Sequence, residues 1–132
     1  MQSRWLYFTK EELSCHGSCS RCAGTDNNMN PEFMNKIVKL RKLCGFPLKL
    51  KSGYRCPDRN KKISKTGENG PHTTGKAVDI LVYGTQAYII LMLALELNFT
   101  GIGIHQKGPI EKRYIHLDWS IPGKKRPKIW TY

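Results

Sequence analysis

The chain has 132 residues, with 22 Lys plus Arg against 10 Asp plus Glu, for a net charge of +12. That length is the size of one domain, residues 1–132, and 39% hydrophobic content excludes wholesale disorder. So large a positive excess favours polyanionic partners such as nucleic acid, anionic lipid or an acidic polymer, and says nothing of fold.

The N-terminal "MQSRWLYFTKEEL" has no continuous apolar stretch of the kind a secretory signal needs, so synthesis in a cytoplasm is expected. Within it, "FTKEEL" (8–13) predicts a short helix, with Thr9 as cap and Glu12 three residues later. Residues 14–29 are rich in Ser, Gly, Cys and Asn and read as loop. "NPEFMNKIVKLRKLCG" (30–45) predicts a helix. Asn30 is a suitable N-cap, Pro31 takes the first helical position, and Glu32 suits the positive end. Phe33, Ile37, Leu40 and Cys44 form one stripe at helical spacing, and Gly45 can stop the helix in the left-handed conformation.

"PLKLKS" (47–52) alternates like a half-buried strand, with Leu48 and Leu50 inward. Residues 53–75, dense in Gly, Pro, Asn and Lys, predict a long loop of functional character. "KAVDILV" (76–82) predicts a strand, and a helix follows from about Thr85 to Asn98. The most apolar run, "AYIILMLALEL" (87–97), is too short for a membrane span and carries Glu96, so it reads as a buried helix. "GIGIH" (101–105) and "RYIHLDW" (113–119) complete the strands, and a basic tail with Trp130 and Tyr132 ends the chain. This order predicts an α+β domain with a small, mainly antiparallel sheet flanked by helices.

The chemistry concentrates in "PHTTGKAVDI" (71–80) and "RYIHLDW". Side chains alternate faces along a strand, so Tyr114, His116 and Asp118 share one face and Ile115, Leu117 and Trp119 the other. Asp79 likewise stands opposite Val78 and Ile80. A carboxylate among hydrophobes is costly unless it is paired or binds a metal. If the two strands are neighbours, Asp79 and His116 face each other, and His72 reaches them from the loop across a turn at Gly75. Two imidazoles and one carboxylate are a common catalytic zinc set with a fourth position for water. The alternative is two satisfied histidines and a structural ion pair.

"SGYR" (52–55), Asn60, "HTTGKAVD" (72–79) and "IHLD" (115–118), in that order, resemble the M15 family of zinc peptidases. These are D-alanyl-D-alanine carboxypeptidases and peptidoglycan endopeptidases, many of them phage endolysins. The similarity is to the branch ending in His-x-Asp, and its fold also resembles the amino-terminal signalling domain of hedgehog proteins. The resemblance implies one catalytic Zn2+ held by His72, Asp79 and His116. It implies that Arg55 binds a carboxylate or carbonyl of a peptidoglycan stem peptide, a task suited to guanidinium. Ser52, Tyr54 and Tyr114 are substrate-contact candidates in the same cleft, although for Tyr54 core packing is an equal alternative.

The proton-transfer group departs from the related branch, which has a glutamate three residues before the last ligand, where this chain has Arg113. The candidates are Asp118, on the His116 face, and Glu111; Asp118 has a second possible task in orienting His116 or Arg55. His105 is a further candidate proton carrier. Gly70 stands where relatives often have Ser.

The five cysteines are Cys15, Cys19, Cys22, Cys44 and Cys56, and an odd count without a signal argues against a secreted disulfide framework. Cys15, Cys19 and Cys22, with His16, form a candidate second, structural zinc site; pairing of Cys15 or Cys22 with Cys56, and free thiols, are the alternatives. The cations are dispersed, with clusters "NKKISK" (60–65) and "PGKKRPK" (122–128), which suits a solvated surface better than a nucleic-acid groove; attraction to anionic wall polymers and simple solubility are equal alternatives for it. Three functions follow: a zinc peptidase acting on the cell wall, holin-released or virion-borne if phage; a non-catalytic zinc-containing binding module; or a basic nucleic-acid binder.

Overall fold

A computed structural model of the chain describes residues 1–16 and 25–132. Helix α1 (Lys10–Leu13) starts at the predicted cap. The Glu12 backbone N–H donates to Thr9 Oγ1 at 3.1 Å, and the Thr9 N–H donates to Glu12 Oε1 at 3.0 Å. This reciprocal pair satisfies two amides at the helix start. The other Glu12 oxygen accepts the Leu50 N–H at 3.3 Å and so ties α1 to the sheet.

Helix α2 (Pro31–Cys44) has the Asn30 side chain accepting from the Phe33 N–H, Pro31 in its first turn, and Gly45 at φ 78° beyond its end. Its buried stripe is Phe33, Met34, Ile37 and Leu40, while Cys44 is only half-buried. Helix α4 (Gly84–Glu96) buries Ala87, Ile90, Leu93 and Ala94. Phe33 meets Phe99, just beyond α4, edge to face at 5.9 Å.

The strands are β1 (Lys49–Ser52), β2 (Ala77–Leu81), β3 (Gly101–His105), β4 (Tyr114–Asp118) and β5 (Lys128–Thr131). They form one sheet in the order β1-β2-β4-β3-β5, antiparallel except for the β3–β5 pair. The helices cover one face, where Leu50, Val78, Ile80, Ile102, Ile115 and Leu117 join α2 and α4 in the core. This is the predicted α+β architecture. The opposite face carries the polar residues of β2 and β4.

Two segments differ from the sequence expectation. Residues 53–75 are not a plain loop: they contain helix α3 (Pro57–Ile63) and two 3-10 turns, Gly67–Asn69 and Pro71–Thr74. Pro57 in the first turn starts α3, and a seven-residue helix has too little periodicity to show through so polar a sequence. The basic tail is also not loose. Residues 128–131 form β5, an edge strand beside β3, where alternation is masked because Ile129 is exposed and Trp130 half-buried. Among the described residues no helix is long and apolar enough to cross a membrane.

Candidate metal centre

One row across the polar face of the sheet builds the site. Ser52 pairs with Asp79, Asp79 with His116, His116 with Gly103, and Gly103 with Trp130. The Asp79–His116 pairing is the neighbour relation expected from strand alternation. In β1 the register shifts between Leu50 and Ser52, so Lys51 is an extra residue and Ser52, rather than Lys51, stands against Asp79. Such a bulge re-aims side chains beside a site.

His72 comes from the 3-10 turn Pro71–Thr74, which ends on Gly75 at φ 74°. A Cβ at position 75 would also fall on the Asn28 carbonyl, so this close turn needs glycine on both counts. The Asn30 N–H donates to the Gly75 carbonyl at 2.9 Å, anchoring the turn to the start of α2.

His72, Asp79 and His116 are all buried, and one ligand atom from each lies within 4.8 Å of the others. Hydrogen-bond logic shows what they are shaped to hold. His72 Nδ1 lies 2.8 Å from the Gly53 carbonyl oxygen, which only accepts, so this nitrogen carries the proton. Its Nε2 lone pair therefore faces Asp79 Oδ2, 3.3 Å away. His116 lies between two carboxylates, with Nδ1 2.9 Å from Asp79 Oδ1 and Nε2 2.7 Å from Asp118 Oδ2. With Nε2–H given to Asp118, the Nδ1 lone pair turns toward Asp79. Acceptors facing acceptors need a proton or a cation between them. Ligands of a tetrahedral zinc at about 2.0–2.1 Å stand roughly 3.3–3.4 Å apart; the two imidazole–Asp79 contacts are 3.3 and 2.9 Å, and the three ligand atoms all fall within 4.8 Å of one another. The donor set fits a divalent metal.

The electrostatics agree. Burial works against the Asp79 carboxylate, but the His72 and His116 imidazoles outweigh it and hold the carboxyl well below the ordinary range. Burial also favours a neutral His116 ring, but hydrogen bonds to Asp118 and Asp79 outweigh it and push the imidazole up to about 9.

Arg55 sits beside this cluster. Its Nε donates to Ser52 Oγ at 3.0 Å, Nη1 to Asn60 Oδ1 at 2.9 Å, and Nη2 to Asp79 Oδ2 at 3.3 Å. Asn60 is fully buried and also donates to Thr66 Oγ1 at 2.8 Å. A Cβ at Gly70 would fall on that same Thr66 hydroxyl, so Thr66 occupies the room that a side chain at position 70 would need. Tyr54 is half-buried against the core, which matches its packing alternative.

Asp118 is fully buried and both its oxygens are committed. Arg126 donates from Nε to Oδ1 and from Nη2 to Oδ2, each at 2.8 Å, while His116 holds Oδ2. Burial raises the Asp118 carboxyl, but Arg126 and His116 more than reverse this and leave it below its ordinary value. The His116 ring separates it from Asp79, so its geometry is that of an orienting group. Glu111 lies on the exposed 3-10 turn Ile110–Lys112 and bonds to none of the three. Trp130 packs on His116 with ring centroids 5.2 Å apart. Tyr114, Tyr132 and His105 form an aromatic group at the rim, with His105 stacked on Tyr114 at 5.0 Å. Burial raises both the Tyr114 and the Tyr132 hydroxyls, so they remain protonated donors at ordinary pH.

Sequence reasoning named the three cluster residues and Arg55 but missed Arg126, Trp130 and Tyr132. The one signal available was two aromatics inside an otherwise basic tail. The Cys15 thiol donates to Cys56 Sγ at 3.8 Å, with no disulfide between the two. Cys19 and Cys22 lie outside the described residues, and the expectations of a second ion and of a Cys22 pairing lie there with them.

A family model described as Peptidase M15 matches residues 6–118. No curated protein and no solved structure matches the chain. Arg126, Trp130 and Tyr132 all follow the last matched residue.

Proposed function

The chain belongs to the Peptidase M15 family, and on that footing we propose that it is a zinc-dependent peptidase of peptidoglycan, hydrolysing a peptide bond near D-alanine in the stem or cross-link. The observation that carries this reading is the convergence of the His72 Nε2, Asp79 carboxylate and His116 Nδ1 ligand atoms, each ring held by a hydrogen bond at its other nitrogen. Zinc held there supplies a Lewis acid that polarises a carbonyl and makes water nucleophilic near neutral pH.

The chain's own residues prepare that chemistry. The Gly53 carbonyl fixes the His72 tautomer, and the Asp118–Arg126 pair fixes that of His116. Arg55 holds Asp79 Oδ2 and so fixes the carboxylate of the cluster in place. Tyr114 and Tyr132 add protonated hydroxyls at the rim. Asp118 is assigned to orientation rather than proton transfer, because Arg126 and His116 occupy both its oxygens. The cationic surface suits anionic wall polymers, and the cell wall is the place of action on this reading.

The test is digestion of purified peptidoglycan with mass analysis of the products. His72→Ala, Asp79→Ala and a chelator are each expected to abolish hydrolysis; undiminished lysis by metal-free protein would sink the mechanism. A second reading, a metal-holding module without turnover, is favoured by one observation. Among the described residues, the carboxylates expected to move protons are either committed (Asp118) or exposed on a turn with no bond to the cluster (Glu111). Cleavage of any D-alanine peptide excludes it, and stoichiometric metal binding without cleavage establishes it.

A further inference from the structure

The residue expected to grip a substrate carboxylate is already occupied. Arg55 spends three of its five N–H groups on Ser52, Asn60 and Asp79, and its charge is matched by Asp79. It positions the cluster carboxylate and leaves little of its fork for an external one.

Beside it opens a cleft of about 110 Å³ lined by His16, Lys51, Ser52, Arg55, Arg59 and Ile63. No carboxylate is part of this wall. Lys51 and Arg59 form no ion pair among the described residues. Lys51 is the extra residue of the β1 bulge, and its Nζ lies 4.0 Å from the Tyr114 ring centroid, at the rim of the metal centre. Arg59 is half-buried on α3, next to the Asn60 that holds Arg55. Three cations thus crowd one concave wall, with a single counter-charge that Arg55 has taken. Like charges lining one pocket repel, and an entering anion relieves the repulsion. Ile63, which is 52% exposed, adds an apolar wall for the carbon chain that carries such an anion.

We infer that Lys51 and Arg59 form an anion subsite beside the metal centre that takes a free carboxylate of the peptide substrate. The inference rests on the peptidase reading and deepens it: Arg55 organises the centre, and the neighbouring pair selects acidic peptides. The carboxylate is either the C-terminus of the substrate or an acidic side chain near the scissile bond.

The test compares zinc-loaded wild type, Lys51→Met and Arg59→Met on three acylated D-alanine peptides. One ends in a free carboxylate, one is its C-terminal amide, and one is amide-capped with an internal glutamate. Lys42→Met, on the exposed side of α2, controls for lost charge. Arg59→Met is expected to raise KM about tenfold for a carboxylate-bearing peptide, with kcat kept and the plain amide unaffected. A loss confined to the first peptide identifies the terminal carboxylate, and a loss confined to the third identifies the side chain. An unchanged KM on both acids, or an equal rise on the amide, overturns the subsite. A chemical-shift titration with acylated D-alanine and its amide keeps the test independent of turnover. Saturable shifts from the acid alone, lost in Arg59→Met, support the subsite even if no peptide is cleaved and the peptidase reading falls. Equal shifts from acid and amide overturn it, as do absent shifts when KM is also unchanged on both acids.

Discussion

His116 is the residue on which the site turns. It holds two carboxylates with two ring nitrogens, and in the metal-free protein its pKa is pushed up to about 9. A folded-state value above the unfolded one, about 6.5, means its stabilising effect is complete below pH ~6.5 and fades as pH rises through about 9. Metal must displace the Nδ1 proton, so apparent metal affinity is expected to rise about tenfold per pH unit up to about pH 9 and then level off. Chelator competition between pH 6 and 10 checks this, and a flat profile would refute the assigned proton. Arg126 acts through Asp118 on the same ring. Arg126→Gln is expected to lower metal affinity roughly 10–100-fold. Arg126→Lys should restore it only in part, because ammonium lacks the two-pronged fork. Unchanged affinity in Arg126→Gln would show that the pair does not tune the ligand.

At the scale of elements, "GIGIH" turns out to be a spacing device. A Cβ at Gly101 would fall on the Asp118 carboxylate. One at Gly103 would meet Trp130 Nε1 at 2.7 Å and the Tyr132 hydroxyl at 2.9 Å. Bare backbone on β3 thus lets Asp118 lie flat from one neighbouring strand and Trp130 fold over from the other. Gly103→Ala is expected to push β5 away and cost about 1–3 kcal/mol, read by denaturant unfolding. Gly101→Ala should damage metal binding more than stability, because it strikes the group that orients His116. Parallel measurement of metal stoichiometry and unfolding midpoint separates the two, and equal effects on both quantities in both variants would contradict this division of labour.

Across the whole molecule, the sheet divides two tasks between its faces. Ile80, Ile115 and Leu117 are buried beneath α2 and α4, and Asp79, His116 and Asp118 point the other way from the same strands. The period of two along a strand makes this division automatic. Ile80→Ala is therefore expected to cost about 2–5 kcal/mol of stability while the folded fraction still binds metal. Thermal unfolding beside a metal titration at low temperature tests this, and loss of metal binding in protein shown to be folded would break the separation.

The sequence by itself determined the parts that depend on local pattern. Alternation in "AVDIL" and "YIHLD" showed which residues share a face. The Thr9, Asn30 and Gly45 caps showed where helices begin and end, and the ordered motifs placed His72, Asp79 and His116 together. Alternation and caps follow from short-range backbone geometry, whereas the grouping of the three cluster residues is what the family resemblance implied. Only the tertiary structure decided how the residues around that cluster are employed. The bulge at Lys51, the capture of Arg55 by Ser52 and Asn60, and the closure of β5 over His116 all join segments distant in the chain. The same holds for Asp118, whose role depends on Arg126 reaching it from the tail. A carboxylate's chemistry is set by what occupies its oxygens, and that is a property of the packed molecule.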